Sequence, residues 1–223
     1  RLALVQPRAP AGETRTPGEG ASFLNVAEAA AVVGVVKGLL AAGEVVSLDD
    51  VGVVTPYSGQ VRLLHERFAA LGWATSVGGD ADDGGGAGEA GPTESPAVPP
   101  GTLEVRSVDG YQGREKEVMV FSAVRANDTG ALGFVADARR LNVAITRARR
   151  GLVVVGDRDT LEADGVWRDW IIWAQRNGCV VAAAPAAALR SWLPSCAYHF
   201  VPPPPFFLPP MAPCTRTAQR AHV

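Results

Sequence analysis

From Asn25 onward the spacing of hydrophobic positions changes several times, and each change marks an element. Val32, Val33, Val36, Leu39 and Leu40 recur at helical spacing, which predicts a helix beginning at Asn25. Asn25 is a favourable N-cap, Glu28 stands in the capping-box position, and Gly43 is placed to end the helix. VGVVT (51–55) is apolar without a break and predicts a buried strand. Pro56 opens a turn into a helix over 58–71, with Val61, Leu64 and Phe68 on one face. Further on, 103–106 predicts a short strand and 118–124 a stronger one. A helix over 137–149 leads into a strand at 152–155, an amphipathic helix over 167–175 and a short strand at 179–181. Strands that are apolar throughout, alternating with helices, imply an α/β fold: a mainly parallel sheet covered by helices on both faces.

Three stretches fall outside this rhythm. Residues 1–22 are rich in Pro, Gly, Arg and Thr and are expected to form an irregular lead-in. Residues 78–101 are dominated by Gly, Asp, Glu and Pro with no recurring large apolar residue. They are expected to form a flexible insertion, because the strand–helix rhythm resumes after them. From 183 the chain becomes Ala-rich and then Pro-rich, and 183–223 is expected to be a disordered or polyproline tail. One domain, 23–182, remains. The first residue is Arg1, and the chain reads as part of something longer.

Composition narrows the class only a little. The 223 residues carry a formal net charge of −2, which by itself gives no sign of nucleic-acid binding. The acidic insertion, however, masks a basic excess between Ser107 and Arg150. Cys179, Cys196 and Cys214 lack metal-pair spacing and the three histidines are isolated, so no metal site is expected. This cysteine usage fits a reducing compartment, the cytoplasm or nucleus. No apolar run reaches the ~20 residues needed to span a membrane.

Three segments concentrate the chemistry. TPYSGQ (55–60) stands at the carboxyl end of a strand, where open α/β sheets bind ligands. SVDGYQGREKE (107–117) follows the next strand and carries glycines at 110 and 113. RRLNVAITRARR (139–150) falls in the predicted 137–149 helix, with Leu141, Ala144, Ile145 and Ala148 as its apolar stripe; Arg140 and Arg147, two turns apart, would project from one side of it.

SFLNVAEA, VGVVTPYSGQ, VRSVDGYQGREKEVMVFSAVRAN and GFVADARRLNVAITRARRGLVVVGD, in this order, resemble the C-terminal RecA-like lobe of superfamily-one helicases. The group is the one containing the nonsense-mediated-decay helicase and senataxin. The resemblance runs from Ser22 to Asn177, leaving 78–101 unmatched. Ala138 stands where the family often has Pro, and Ile145 where it often has Leu. The first-lobe motifs are not in this sequence: no Gly-Lys pair exists to complete a phosphate-binding loop, and no strand ends in Asp-Glu.

The resemblance implies a P-loop-NTPase-type fold that works with a first RecA-like lobe, ATP, Mg²⁺ held mainly by that lobe, and single-stranded RNA or DNA. It also admits protein partners in a surveillance or RNA-processing complex. Arg147 would be the arginine finger, an always-charged planar donor suited to a transferred phosphoryl group. Glu115 would accept hydrogen bonds from the nucleotide ribose, with Glu117 as a rival. Gly113 would let the backbone approach phosphates, or is a plain turn glycine. Arg140 would contact phosphates or pair with Asp137. Thr55 and Ser107 would touch the nucleic-acid backbone, or act as caps. Tyr57 and Tyr111 are expected in the core. The competing reading is a non-catalytic nucleic-acid or protein-binding module derived from such a lobe.

Overall fold

The computed structural model describes residues 2–7, 12–17, 21–77, 100–111, 113–137, 142 and 146–182. Nearly all of the insertion and the whole 183–223 tail lie outside these residues. So do Arg140 and the stripe residues Leu141, Ala144 and Ile145.

Nine strands are described: β1 (Leu2–Gln6), β2 (Thr14–Arg15), β3 (Phe23–Leu24), β4 (Val51–Thr55), β5 (Thr75–Val77), β6 (Leu103–Ser107), β7 (Lys116–Ser122), β8 (Ala148–Val155) and β9 (Val180–Ala182). Seven form one sheet in the order β5-β6-β4-β7-β8-β1-β9, and every ladder in it is parallel. β2 and β3 make a separate antiparallel pair. Four α-helices are described: α1 (Val26–Ala41), α2 (Ser58–Ala69), α3 (Arg158–Leu161) and α4 (Gly165–Arg176).

The pleat splits the sheet's side chains between two cores. Val51 and Val53 of β4 face α1 and α2, joining Val32, Val36, Leu64 and Phe68. Val54, one residue on, faces the other way, toward the layer containing Trp167, Trp170 and Ile171 of α4. Helices thus cover both faces, as an unbroken apolar strand requires. Gly52 meets a steric demand within β4: a Cβ there would fall 2.2 Å from the Tyr111 hydroxyl. Tyr57 and Tyr111 are both buried, as expected.

Several expectations need correction. Leu2–Gln6, expected to be irregular, is a sheet strand between β8 and β9, with Ala3, Leu4 and Val5 buried. The run LALV was overshadowed by the Pro- and Gly-rich residues after it. The helix expected to reach Arg149 has given way before that point. Thr146 and Arg147 lie in a turn and Ala148–Arg150 already belong to β8. Arg147 therefore does not share a helical face with Arg140, and Ala148 belongs to no helical stripe. The cause is the β7 edge: pairing with 148–150 satisfies its backbone and sets Glu115 and Glu117 against Arg149 and Arg150. The capping box at α1 is only half formed. Asn25 accepts from the Glu28 backbone N–H at 3.0 Å, but the Glu28 carboxylate turns away into the core.

Candidate functional site

Because the strands are parallel, the sheet has two distinct edges, one made of carboxyl ends and one of amino ends. The expected site residues divide between them.

At the amino edge, the loop entering β7 meets the turn entering β8, and the Lys116 backbone N–H donates to the Arg147 carbonyl at 3.1 Å. This contact sets the Arg147 main chain beside the segment that carries Gly113 and Glu115 into β7. Gly113 has φ +75°, and nothing lies within 4 Å of where a Cβ would sit, so backbone conformation selects glycine here and leaves open space beside the main chain. Glu115 accepts from Arg149 Nε at 3.2 Å, and both side chains are at least half exposed. Between the pairs Lys116–Ala148 and Val118–Gly151 the ladder slips by one residue. Such a bulge re-aims the side chains around it, here those of Arg149 and Arg150.

A buried carboxylate holds this loop from below. Glu104 on β6 pairs with Arg106 Nε and Arg114 Nη1, each at 2.6 Å, and with Lys116 Nζ at 3.5 Å; the Tyr111 hydroxyl donates to it at 3.3 Å. Burial alone would raise its carboxyl, but Arg106, Arg114 and Lys116 outweigh burial and hold it below the usual carboxylate range. Three cations thus surround this one carboxylate, two of them from the segment that follows Gly113. Among the described residues, no group of three or more His, Cys, Asp or Glu side chains clusters as a metal site would.

At the carboxyl edge, Thr55 and Ser107 are register partners at the ends of β4 and β6. Thr55 is fully buried and its hydroxyl makes no hydrogen bond. The Ser107 hydroxyl accepts from the Gly110 backbone N–H at 3.2 Å, the capping geometry already considered for it. Sequence reasoning missed the polar residues beside them. Gln60 accepts from the Asn25 backbone N–H at 2.8 Å and donates to the Ser122 hydroxyl at 3.1 Å. Ser122 donates to Glu28 Oε2 at 2.7 Å, and the Val124 backbone N–H donates to the same oxygen at 2.7 Å. Asn25 Nδ2 completes the ring by donating to the Val124 carbonyl at 3.1 Å. Burial pushes the Glu28 carboxyl up to about 8 despite these two hydrogen bonds, with smaller pushes from Asp157 and Glu13. A signal for Gln60 existed: it lies on the helix's apolar stripe, four residues before Leu64.

This network clamps a strained residue. Val124 has φ +70°, a left-handed conformation that a β-branched residue rarely adopts and that costs roughly 1–3 kcal/mol. With its N–H held by Glu28 and its carbonyl by Asn25, it turns the chain out of β7 and presents Arg125. Arg125 is itself fixed: Nε meets Glu13 Oε2 at 2.8 Å, Nη1 donates to the Tyr57 hydroxyl at 3.4 Å, and the guanidinium lies 4.4 Å from the Phe23 ring centre. A cleft of about 650 Å³ opens here, lined by Phe23, Tyr57, Ser58, Ser107, Arg125 and Phe134 among others.

The sequence between the edges, 107–117, leaves the carboxyl end of β6 and returns at the amino end of β7. It therefore traverses the whole height of the sheet.

Residues 5–159 match the AAA domain family. The chain is 34% identical over 167 residues to "Probable helicase MAGATAMA 3" of Arabidopsis thaliana, covering 74% of this chain and 18% of that protein. It is 34% identical over 170 residues to "ATP-dependent helicase NAM7" of Saccharomyces cerevisiae, covering 76% and 15%. To "DNA polymerase alpha-associated DNA helicase A" of Schizosaccharomyces pombe it is 36% identical over 147 residues, covering 66% and 18%. Each match spans less than a fifth of the relative's length. The chain belongs to the AAA domain family and carries a RecA-like helicase lobe of the superfamily-one, nonsense-mediated-decay and senataxin type.

Proposed function

We propose that this chain is the second lobe of an ATP-driven translocase on single-stranded nucleic acid, RNA in the first instance. In this reading the amino edge faces a nucleotide held mainly by a first RecA-like lobe, and the carboxyl edge faces the strand. The observation that carries it is the division of the site residues: Gly113, Glu115 and Arg147 gather at one edge, Thr55 and Ser107 at the other. A lobe that couples hydrolysis to movement needs both surfaces on one rigid sheet.

ATP supplies the phosphoanhydride whose cleavage drives the cycle, with Mg²⁺ held by the first lobe. Arg147 acts as the finger, placing an always-charged planar donor against charge that develops on the transferred phosphoryl group. Gly113 lets the main chain approach phosphates in the open space beside it. Glu115 accepts from the ribose once it exchanges its Arg149 partner, and Arg140 adds a further phosphate contact. Ser107 and the backbone at Thr55 position the strand without reading its sequence. The buried Thr55 side chain restricts that residue to a main-chain role. Partners in an RNA-surveillance assembly, in the cytoplasm or nucleus, fit the relatives named for nonsense transcripts.

The test is hydrolysis with and without a first lobe. The purified chain alone turns over no ATP above background, since no phosphate-binding loop occurs in its sequence, and joining it to a first lobe restores RNA-stimulated turnover. RNA-stimulated hydrolysis by the chain alone, abolished by Arg147→Ala, contradicts this assignment.

A further inference from the structure

Three hydroxyl residues in the sequence are followed directly by proline: Thr16, Thr55 and Ser95. Thr55 is fully buried at the end of β4, and Ser95 lies outside the described residues. Thr16 is different. It follows β2 in the β2–β3 hairpin, and its neighbours Arg15 and Pro17 are exposed. The Thr16 hydroxyl accepts from the Ser22 backbone N–H at 2.7 Å, and the Thr16 N–H donates to the Ser22 carbonyl at 2.7 Å. Only Thr14↔Leu24 and Arg15↔Phe23 pair in this ladder, so the hairpin can open at Thr16 while the main sheet stays intact.

The hairpin lies across the first turn of α2. A Cβ on Gly59 would fall 3.0 Å from the Phe23 carbonyl oxygen and 3.1 Å from Thr16 Cγ2, and glycine is what lets the hairpin sit this close. Tyr57, the N-cap residue of α2, offers no side-chain hydrogen bond. The backbone N–H groups of Ser58 and Gly59 find no acceptor among the described residues. Thr16 thus stands beside unpaired donors in the TPYSGQ segment, and Ser22 and Ser58 belong to the rim of the cleft that holds Arg125.

We propose that Thr16 is a phosphorylation site for a kinase that reads a proline directly after its acceptor, and that the phosphate closes the track at the start of α2. The proposal rests on the reading that the carboxyl edge carries the strand, and it adds a way to turn that binding off. Proline suits such recognition because its φ is fixed and it has no N–H. In the transfer, Thr16 Oγ1 attacks the γ-phosphorus of ATP held by the kinase. The new O–P bond forms as the bond to the bridging β,γ-oxygen breaks, ADP leaves with the electron pair, and the hydroxyl proton passes to a kinase carboxylate. The product carries about −1.5 to −2 charges and three acceptor oxygens, which the Ser58 and Gly59 N–H groups can satisfy. A strand phosphate then meets a fixed dianion where free donors stood.

The experiment treats the full-length protein with a purified proline-directed kinase and ATP, maps the phosphate by mass spectrometry, and reads binding to a labelled oligouridylate by fluorescence anisotropy. Phosphate is expected at Thr16, and at this position neither in Thr16→Val nor in Pro17→Ala, which keeps the hydroxyl. The modified protein should bind roughly 10-fold or more weakly at low salt, the gap should narrow as salt screens the repulsion, and phosphatase should restore binding. Without kinase, both variants should bind within about twofold of the parent. No phosphate at Thr16, when the same kinase modifies a peptide of residues 12–24, overturns the proposal. So does phosphate at Thr16 with binding unchanged. An equal loss in kinase-treated Thr16→Val would assign the effect to charge elsewhere, such as Ser95, and overturn it as well. Failure of the untreated protein to bind the oligomer overturns the track reading and the proposal together, whatever the mapping shows.

Discussion

The two edges of the sheet are built from opposite materials. At the carboxyl edge, Asn25, Glu28, Gln60 and Ser122 are completely or almost completely buried, joined by short hydrogen bonds and clamped on the strained Val124. At the amino edge, Arg149 and Glu115 are 60% and 50% exposed, and the exposed Arg150 pairs with the half-buried Glu44 and Glu117. A buried neutral network is costly to rearrange because any group left unpaired keeps its full desolvation cost. Exposed ion pairs are worth only ~0–1 kcal/mol each and exchange partners readily. In the function proposed above, this contrast would let the track keep its shape while the charges facing the nucleotide change partners.

The comparison breaks most sharply at Arg147. In a protein containing both lobes, Arg147→Ala should lower hydrolysis at least ~10³-fold while ATP affinity stays within roughly tenfold, because a finger acts on charge developing in the transition state. Arg147→Lys should fail too, since an ammonium cannot reproduce the guanidinium fork. Arg67→Ala, on the exposed face of α2, is the control. Arg149 is unsuitable as one because it pairs with Glu115. Steady-state ATPase assays with separate nucleotide-binding titrations decide the matter, and comparable losses from Arg147→Ala and Arg67→Ala would reduce the helix-to-strand turn to a general positive field.

The next largest effect lies at the buried network. Glu28→Ala should destabilise the fold by ~2–4 kcal/mol by leaving the Val124 N–H and the Ser122 hydroxyl without their acceptor. Glu28→Gln should cost much less, because the native side chain is largely protonated at neutral pH. The pH dependence has a definite sign. With the folded value raised to about 8, the native state holds a proton that the unfolded chain releases near its ordinary 4.5. Stability is therefore complete below pH ~4.5, falls by up to ~1.4 kcal/mol per pH unit as pH rises, and levels off above about 8. Denaturant melts at pH 5 and 8 should show this fall, and Glu28→Gln should remove it. A parent protein as stable at pH 8 as at pH 5 would mean that Glu28 is ionised in the fold.

The smallest effect sharpens the contrast from the other side. Arg149→Ala should change stability by less than ~1 kcal/mol, since Arg149 is itself well exposed and pairs with the half-exposed Glu115 and, at 3.7 Å, with Glu117. By freeing Glu115 it should leave nucleotide affinity equal or up to a few-fold tighter, readable with a fluorescent ATP analogue. A loss above tenfold would make Arg149 a direct nucleotide contact.

The apolar runs carried most of the fold. VGVVT, VMVFS and LVVV become β4, β7 and β8 because nothing but a doubly covered sheet buries four or five consecutive aliphatic residues in so short a span. Asn25 and Gly43 marked the limits of α1 through capping chemistry that is local. Pairing decisions were illegible, because they depend on partners far away in the chain. Ala148 and Arg149 read as helix from their own neighbourhood and were drawn into a strand by the β7 edge, with Arg147 in the turn before it. Glu28 read as half of a local capping box, yet its acceptor oxygen is used 94 and 96 residues away. The motifs singled out Gly113, Glu115 and Arg147 as candidates, but nothing along the chain revealed that Arg125 and Phe134 line one cleft with Phe23.

The position of β1 also governs the order in which the domain can be completed. Leu2–Gln6 lies between β8 and β9, hydrogen-bonded to residues about 150 and 175 positions later. During synthesis these apolar residues have no sheet partner until β8 and β9 have left the ribosome, and the separations they bridge are the longest among the described ladders. The far side of the sheet can assemble earlier, since β4, β6 and β7 are nearer neighbours in the chain. Locking of β1 between its partners is thus a late folding event, and until then the β8 border remains an open template for unwanted strand pairing.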